Sequence, residues 1–186
     1  MLYPIYLNSG RALKLWFSAS ASVLLFTALL SCGIKKSESP VAPEGMCIIS
    51  LSNYGKPFSL FVPDTSKNPL RIEEDPSGAL NIMAGNAFAL SIYEQSADLD
   101  MKRSDIKSDE VNKLTSFLTD EPNAIFWESA ITEPEYHFLM NLKIAGQDYS
   151  FQDLLRPDIK APGKAAVQKM FDACKQAVAH PPKENS

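Results

Sequence analysis

Two histidines, His137 and His180, are the only side chains here whose unperturbed titration falls near neutral pH. A Ser-His-Asp or Cys-His device built on His137 needs a nucleophile within hydrogen-bond reach, and no G-x-S-x-G elbow or comparable motif supplies one. His137 falls on the polar side of an alternating stretch, where an ordinary exposed histidine is expected. His180 opens a proline-bearing tail, "HPPKENS", that has nothing to bury.

Acidic residues offer two further chemistries. The segment "DLDMKRSDIKSDE", Asp98 to Glu110, holds five acids, but Lys102 stands at the third ligand position of a calcium loop and no glycine follows it. A solvated charged segment is the better expectation. Glu133 and Glu135 flank Pro134 and imitate a glycosidase pair, yet two acids in an expected turn are a weak signal. Phosphate loops and dinucleotide fingerprints are absent from the sequence. The expectation is no catalytic residue, no metal and no cofactor.

The elements that would position these groups are mostly strands. "CIISL" (Cys47 to Leu51) and "FSLFV" (Phe58 to Val62) flank "SNYGKP", where Asn53 and Gly55 tolerate the positive φ of a hairpin turn. "LRIEE" and "ALNIMAG" flank "DPSG", with Pro76 preset for the second turn position and Gly78 at the fourth. "FALSIYE" places Phe88, Leu90 and Ile92 on one face.

Ser108 is expected to cap a short amphipathic helix carrying Val111, Leu114, Phe117 and Leu118, closed by Asp120 to Pro122. In "EYHFLMNLKI" (Glu135 to Ile144), Tyr136, Phe138, Met140, Leu142 and Ile144 share one face, while His137, Leu139, Asn141 and Lys143 share the other. A turn at Ala145 and Gly146 sets Leu142 against Tyr149 and Met140 against Phe151. "AIFWESAI", Ala124 to Ile131, supplies a third strand of that meander. The last pattern, Ala166, Val167, Met170, Phe171, Cys174, Ala177 and Val178, is a helical stripe made to lie on the sheet.

These elements imply an α+β fold class: an antiparallel sheet of hairpins and meander, a C-terminal helix packed on it, and one further short helix. A length of 186 residues with 45% hydrophobic content suits a single core, and the formal charge of −4 comes without a basic block, which argues against nucleic acid as a partner. No internal repeat is present.

The first 31 residues stand apart. Arg11 and Lys14 precede "LWFSASASVLLFTALL", a 16-residue run from Leu15 to Leu30 without charge, which is short for a spanning helix and suits a signal-peptide core. It ends in "LLSC", Leu29 to Cys32. In this region the sequence resembles bacterial lipoproteins with a type II signal peptide. The resemblance implies cleavage before Cys32, a diacylglycerol on its thiol and a lipid anchor holding the domain at a membrane surface. Gly33, rather than Asp, after that cysteine points within the family to the outer membrane of a two-membrane bacterium.

Residues 32–45 then read as the lipidated cysteine and a flexible tether, 46–179 as the globular domain and 180–186 as a disordered tail. Removal of residues 1–31 takes away Arg11 and Lys14 and leaves 22 acids, moving the charge from −4 to −6. A domain of that sign does not adhere to an anionic bilayer, so anchoring falls to the lipid.

With Cys32 acylated, Cys47 and Cys174 remain. In the oxidising compartment that the resemblance implies, an even pair at opposite ends of a domain reads as a disulfide. Two unpaired thiols acting as small hydrophobes are the alternative. The functional expectation is an envelope lipoprotein presenting a small non-catalytic binding or assembly domain to another envelope component. A small envelope hydrolase is the rival: a buried His137 beside a Ser or Asp in a concave pocket would favour it, and an exposed His137 on a flat polar sheet would favour the binder.

Overall fold

The computed structural model describes residues 41–157 and 159–180. Cys32, the signal segment, most of the tether and residues 181–186 lie outside the described residues.

The described chain is an α+β fold. Its larger sheet has seven antiparallel strands: β3 (Leu70–Glu74), β4 (Leu80–Ala84), β5 (Phe88–Tyr93), β9 (Gln147–Asp153), β8 (Pro134–Ile144), β7 (Ala124–Ala130) and β6 (Lys113–Glu121), in that spatial order. A smaller sheet pairs β1 (Met46–Ser50) and the two-residue β10 (Val178–Ala179) on either side of β2 (Phe58–Pro63). Helix α2 (Lys164–Lys175) packs against β2, β5, β8 and β9, so the main core is closed between the helix, the small sheet and one face of the large one. Phe58, Phe126, Phe138, Phe151 and Phe171 meet there.

Local chemistry accounts for the hairpins. Asp75 Oδ1 accepts from the backbone N–H groups of Ser77 and Ala79, and Gly78 takes φ +83°, closing the β3–β4 turn as "DPSG" predicts. Ala145 and Gly146 both adopt positive φ, at 51° and 87°, and the register sets Leu142 opposite Tyr149 and Met140 opposite Phe151, the pairing the alternation demands. The connection from β1 to β2 is longer than a tight hairpin: it contains a 3-10 turn, Ser52–Tyr54, ended by Gly55 at φ 73°.

Four expectations are corrected. The helix expected from Ser108 onwards is instead α1 (Leu99–Ser108), capped by Asp98, whose Oδ1 accepts from Met101 N at 2.9 Å. The stretch read as a solvated charged segment is thus that helix, with Leu99 and Ile106 buried on one side. The next element is the edge strand β6, whose register shifts between Leu114 and Ser116 and again between Phe117 and Thr119. Each bulge adds a residue and reverses the side-chain parity, so Leu114 and Phe117, three apart, pack on the same cluster. A doubly bulged strand therefore mimics helical spacing.

The C-terminal stripe is the second correction. Helix α2 stops at Lys175, and Val178 and Ala179 leave it to pair with Ser59 and Phe58. Third, the disulfide is not formed: Cys47 and Cys174 are both free. Cys47 lies on β1 with its Sγ 3.8 Å from Pro63 O, whereas Cys174 is fully buried on α2, which covers β2 rather than β1. Cys174 is a small hydrophobe in the core, and burial pushes its thiol pKa far up. Fourth, the tail expectation fails for His180, whose backbone N–H donates to Pro57 O at 2.8 Å. Within the stretch read as tether, Ala42 already packs against the core.

Candidate functional site

On the face of the large sheet away from α2, a second cluster of Leu99, Ile106, Ile125, Trp127 and Leu139 forms beneath α1. Helix α1 is pinned there by Arg103, which is paired with Asp100 and Asp120 and donates to the carbonyl of Glu121. Beside this cluster a cleft of ≈ 250 Å³ opens between α1, the Asp109 turn and strands β7 and β8, with His137, Trp127 and Ser129 in its wall.

The strand register explains the grouping. Trp127 pairs with His137 and Ser129 with Glu135 across β7 and β8, so all four side chains emerge on one face. The indole and imidazole rings lie 5.4 Å apart, centroid to centroid, and Lys102 reaches over the indole from α1 at 5.6 Å.

The β8–β9 ladder ends at Leu139 and Gln152, while the next residue, Asp153, stays paired with Leu90 of β5 and turns its side chain to β8. Its Oδ1 accepts from Phe138 N and its Oδ2 from His137 Nδ1, each at 2.8 Å. A carboxylate only accepts here, so Nδ1 carries the proton and Nε2 of the neutral ring holds a lone pair on the cleft side. Glu135 Oε2 lies 3.6 Å from Nε2 and also accepts from Asn112 Nδ2 at 3.1 Å.

Burial works against the charged imidazole. The hydrogen bond and charge of Asp153, with the charge of Glu135, outweigh it and leave the His137 pKa raised above 6.5. Asp109 is held below the usual carboxylate range because its Oδ1 accepts from the backbone N–H groups of Asn112 and Val111.

Two polar atoms at this site have no partner: Ser129 Oγ, on a residue 1% exposed, and Asn112 Oδ1. Leaving such atoms unpaired costs roughly 1 to 3 kcal/mol each.

The expectation of an exposed His137 on a polar strand face is therefore overturned, since the residue is 8% exposed. The alternation gave the correct face, but α1 and the Asp153 carboxylate come from elsewhere in the chain and cover it. The second histidine sits in different company: His180 Nδ1 lies 2.9 Å from Ser52 Oγ and Nε2 2.7 Å from Ser59 Oγ. Glu133 reaches outwards to Lys160 and does not join Glu135 as a facing pair. Among the described residues, no three His, Cys, Asp or Glu side chains are grouped as metal ligands.

Size does not select the site. A larger hollow of ≈ 410 Å³ near Gly45, Asn68 and Phe88 has Lys169 as the only ionisable group in its wall. The residues that sequence reasoning passed over are Asp153, Ser129 and Asn112, which carry no motif and lie between 17 and 41 positions apart in the chain.

Against known protein families, characterised proteins and solved structures, the chain finds no match. The function therefore has to be argued from the site.

Proposed function

We propose that this chain is a lipid-anchored envelope protein whose globular domain binds a small polar ligand, or the polar end of a larger envelope component, in the cleft beside His137. The observation that carries the binding half is the buried, unpartnered Ser129 hydroxyl in the wall of that cleft. A ligand that satisfies it recovers the desolvation penalty of the unpaired hydroxyl. The anchoring half rests on "LLSC" and the charge-free run before it. Lipid on Cys32 would hold the domain at the outer membrane, and the acidic domain itself would contribute no adhesion.

A small envelope hydrolase is the second reading, and the test set from the sequence, a buried His137 beside an acid in a concave pocket, comes out in its favour. That geometry is one half of a nucleophile-activating device, with Asp153 fixing the tautomer and Nε2 left as base. Binding remains the better account because Ser129 Oγ makes no hydrogen bond to Nε2, so no activated nucleophile is assembled among the described residues.

The two readings separate in one experiment. The full chain in detergent micelles is mixed with a polar fragment set while backbone NMR signals are followed, and in parallel with an activated acetate ester. Binding predicts saturable shifts at Asn112, Trp127, Ser129 and His137 with no ester turnover above background. Turnover abolished by His137→Gln would replace binding with hydrolysis, and an absence of shifts at the cleft would refute the binding half. For the anchor, Cys32→Ala is expected to abolish labelling by a fatty-acid probe and release the domain from membranes; unchanged labelling would refute it.

A further inference from the structure

We propose that the group bound in the His137 cleft is a primary ammonium, an inference that rests on the binding reading above and names its ligand class. Donors and acceptors around the cleft do not balance. Glu135 is a carboxylate and only accepts, so the Asn112 amide must turn its NH2 towards it, which leaves Asn112 Oδ1 as the unpaired atom. His137 spends its Nδ1 proton on Asp153 and turns Nε2 towards Glu135, 3.6 Å away. Ser129 Oγ accepts as well as donates.

Two acceptors thus lie on the residues bonded to or paired with Glu135, and no donor of the described chain serves Asn112 Oδ1 or Ser129 Oγ. An ammonium brings three N–H donors.

Charge points the same way. Asp105 and Asp109 line the cleft and Glu135 and Asp153 stand behind it, against Lys102 and a titrating His137. The site is net acidic and disfavours a carboxylate or phosphate. Its aromatic wall already hosts one ammonium, since Lys102 Nζ lies over Trp127. Volume limits the ligand: ≈ 250 Å³ is below the range of drug-sized sites and suits a small amine or the end of a lysine side chain.

Trp127 provides the readout. The full chain carrying Trp16→Phe has Trp127 as its only indole. In nonionic micelles it is titrated separately with ethylammonium, with Nα-acetyl-lysine amide, with tetramethylammonium, which has the charge but no N–H, and with glycerol, which has donors but no charge. Saturable change in indole emission is expected with the first two probes only, and the tighter of them identifies a free amine or a lysine side chain as the source. Ser129→Ala and, independently, Asn112→Ala should each weaken ammonium binding about tenfold, the loss of one hydrogen bond to a charged group.

An equal response to tetramethylammonium would overturn the proposal, because charge without donors would then suffice. A response to glycerol alone would overturn the ammonium and leave the cleft as a polar site. Silence from all four probes, while polar fragments still shift the NMR signals of the cleft, would also overturn the ammonium class alone. Silence in both measurements would remove the binding reading beneath it.

Discussion

The two histidines occupy opposite chemical situations within one domain. His137 is buried between two carboxylates, with Nδ1 committed to Asp153 and Nε2 towards a cleft. His180 is half-buried, and both of its ring nitrogens are taken by hydroxyls, Ser52 on one side and Ser59 on the other. In the neutral ring one nitrogen donates and one accepts, and serine can play either part, so the His180 arrangement is complete without a ligand. It fastens β10 to β2. A histidine between two acids beside a cleft thus keeps its titration coupled to charge, whereas two neutral partners make it a clasp.

Removing the acid that holds His137 should have the largest effect. Asp153→Ala leaves His137 Nδ1 and the Phe138 N–H without their acceptor in a buried setting, and the expected loss is about 3 kcal/mol. For a domain of this size that is a fall in Tm on the order of 10 °C by thermal denaturation. Asp153→Asn keeps an acceptor for Phe138 N and should recover part of it.

The pH dependence tests the same contrast from the imidazole side. The His137 pKa is raised in the folded state, so its contribution to stability is complete below the ordinary value of 6.5 and is lost as the pH climbs through the raised value. Denaturant midpoints taken across the neutral range should show this decline, and His137→Gln should remove that component of the slope. A decline that persists unaltered in His137→Gln would assign it to another group.

His180→Ala is expected to have the smallest effect, about 1 kcal/mol, because two neutral hydrogen bonds at a partly exposed site are lost. Amide exchange should quicken at Val178 and Ala179 while the large sheet keeps its protection. Destabilisation larger than that of Asp153→Ala would reverse the ranking and make the clasp, not the acid pair, the keystone of the fold.

Much of the architecture is legible in the residue pattern. Strand alternation in Glu135 to Ile144 sets both the core face and the register with β9, because one buried face leaves a single pairing that matches apolar to apolar. The "DPSG" turn and the stripe from Val167 to Cys174 are equally plain, since turn residues and helical spacing act through local geometry. Illegible are the two bulges of β6, where Leu114 and Phe117 share a cluster at a spacing that local rules assign to a helix, and the departure of Val178 from α2 to pair with Ser59. Both are settled by neighbours remote in the chain.

Short-range pattern and composition were enough to fix the α+β class, the faces of its main strands and the acidic charge. They could not fix what the histidines are. Asp153 lies 16 residues beyond His137, Asn112 lies 25 before it, and Ser52 and His180 are 128 apart. No spacing rule connects such positions. They meet because strand pairing and the docking of α1 and β10 bring them into hydrogen-bond range, and the identity of those partners sets one imidazole between two carboxylates beside a cleft and makes the other a clasp.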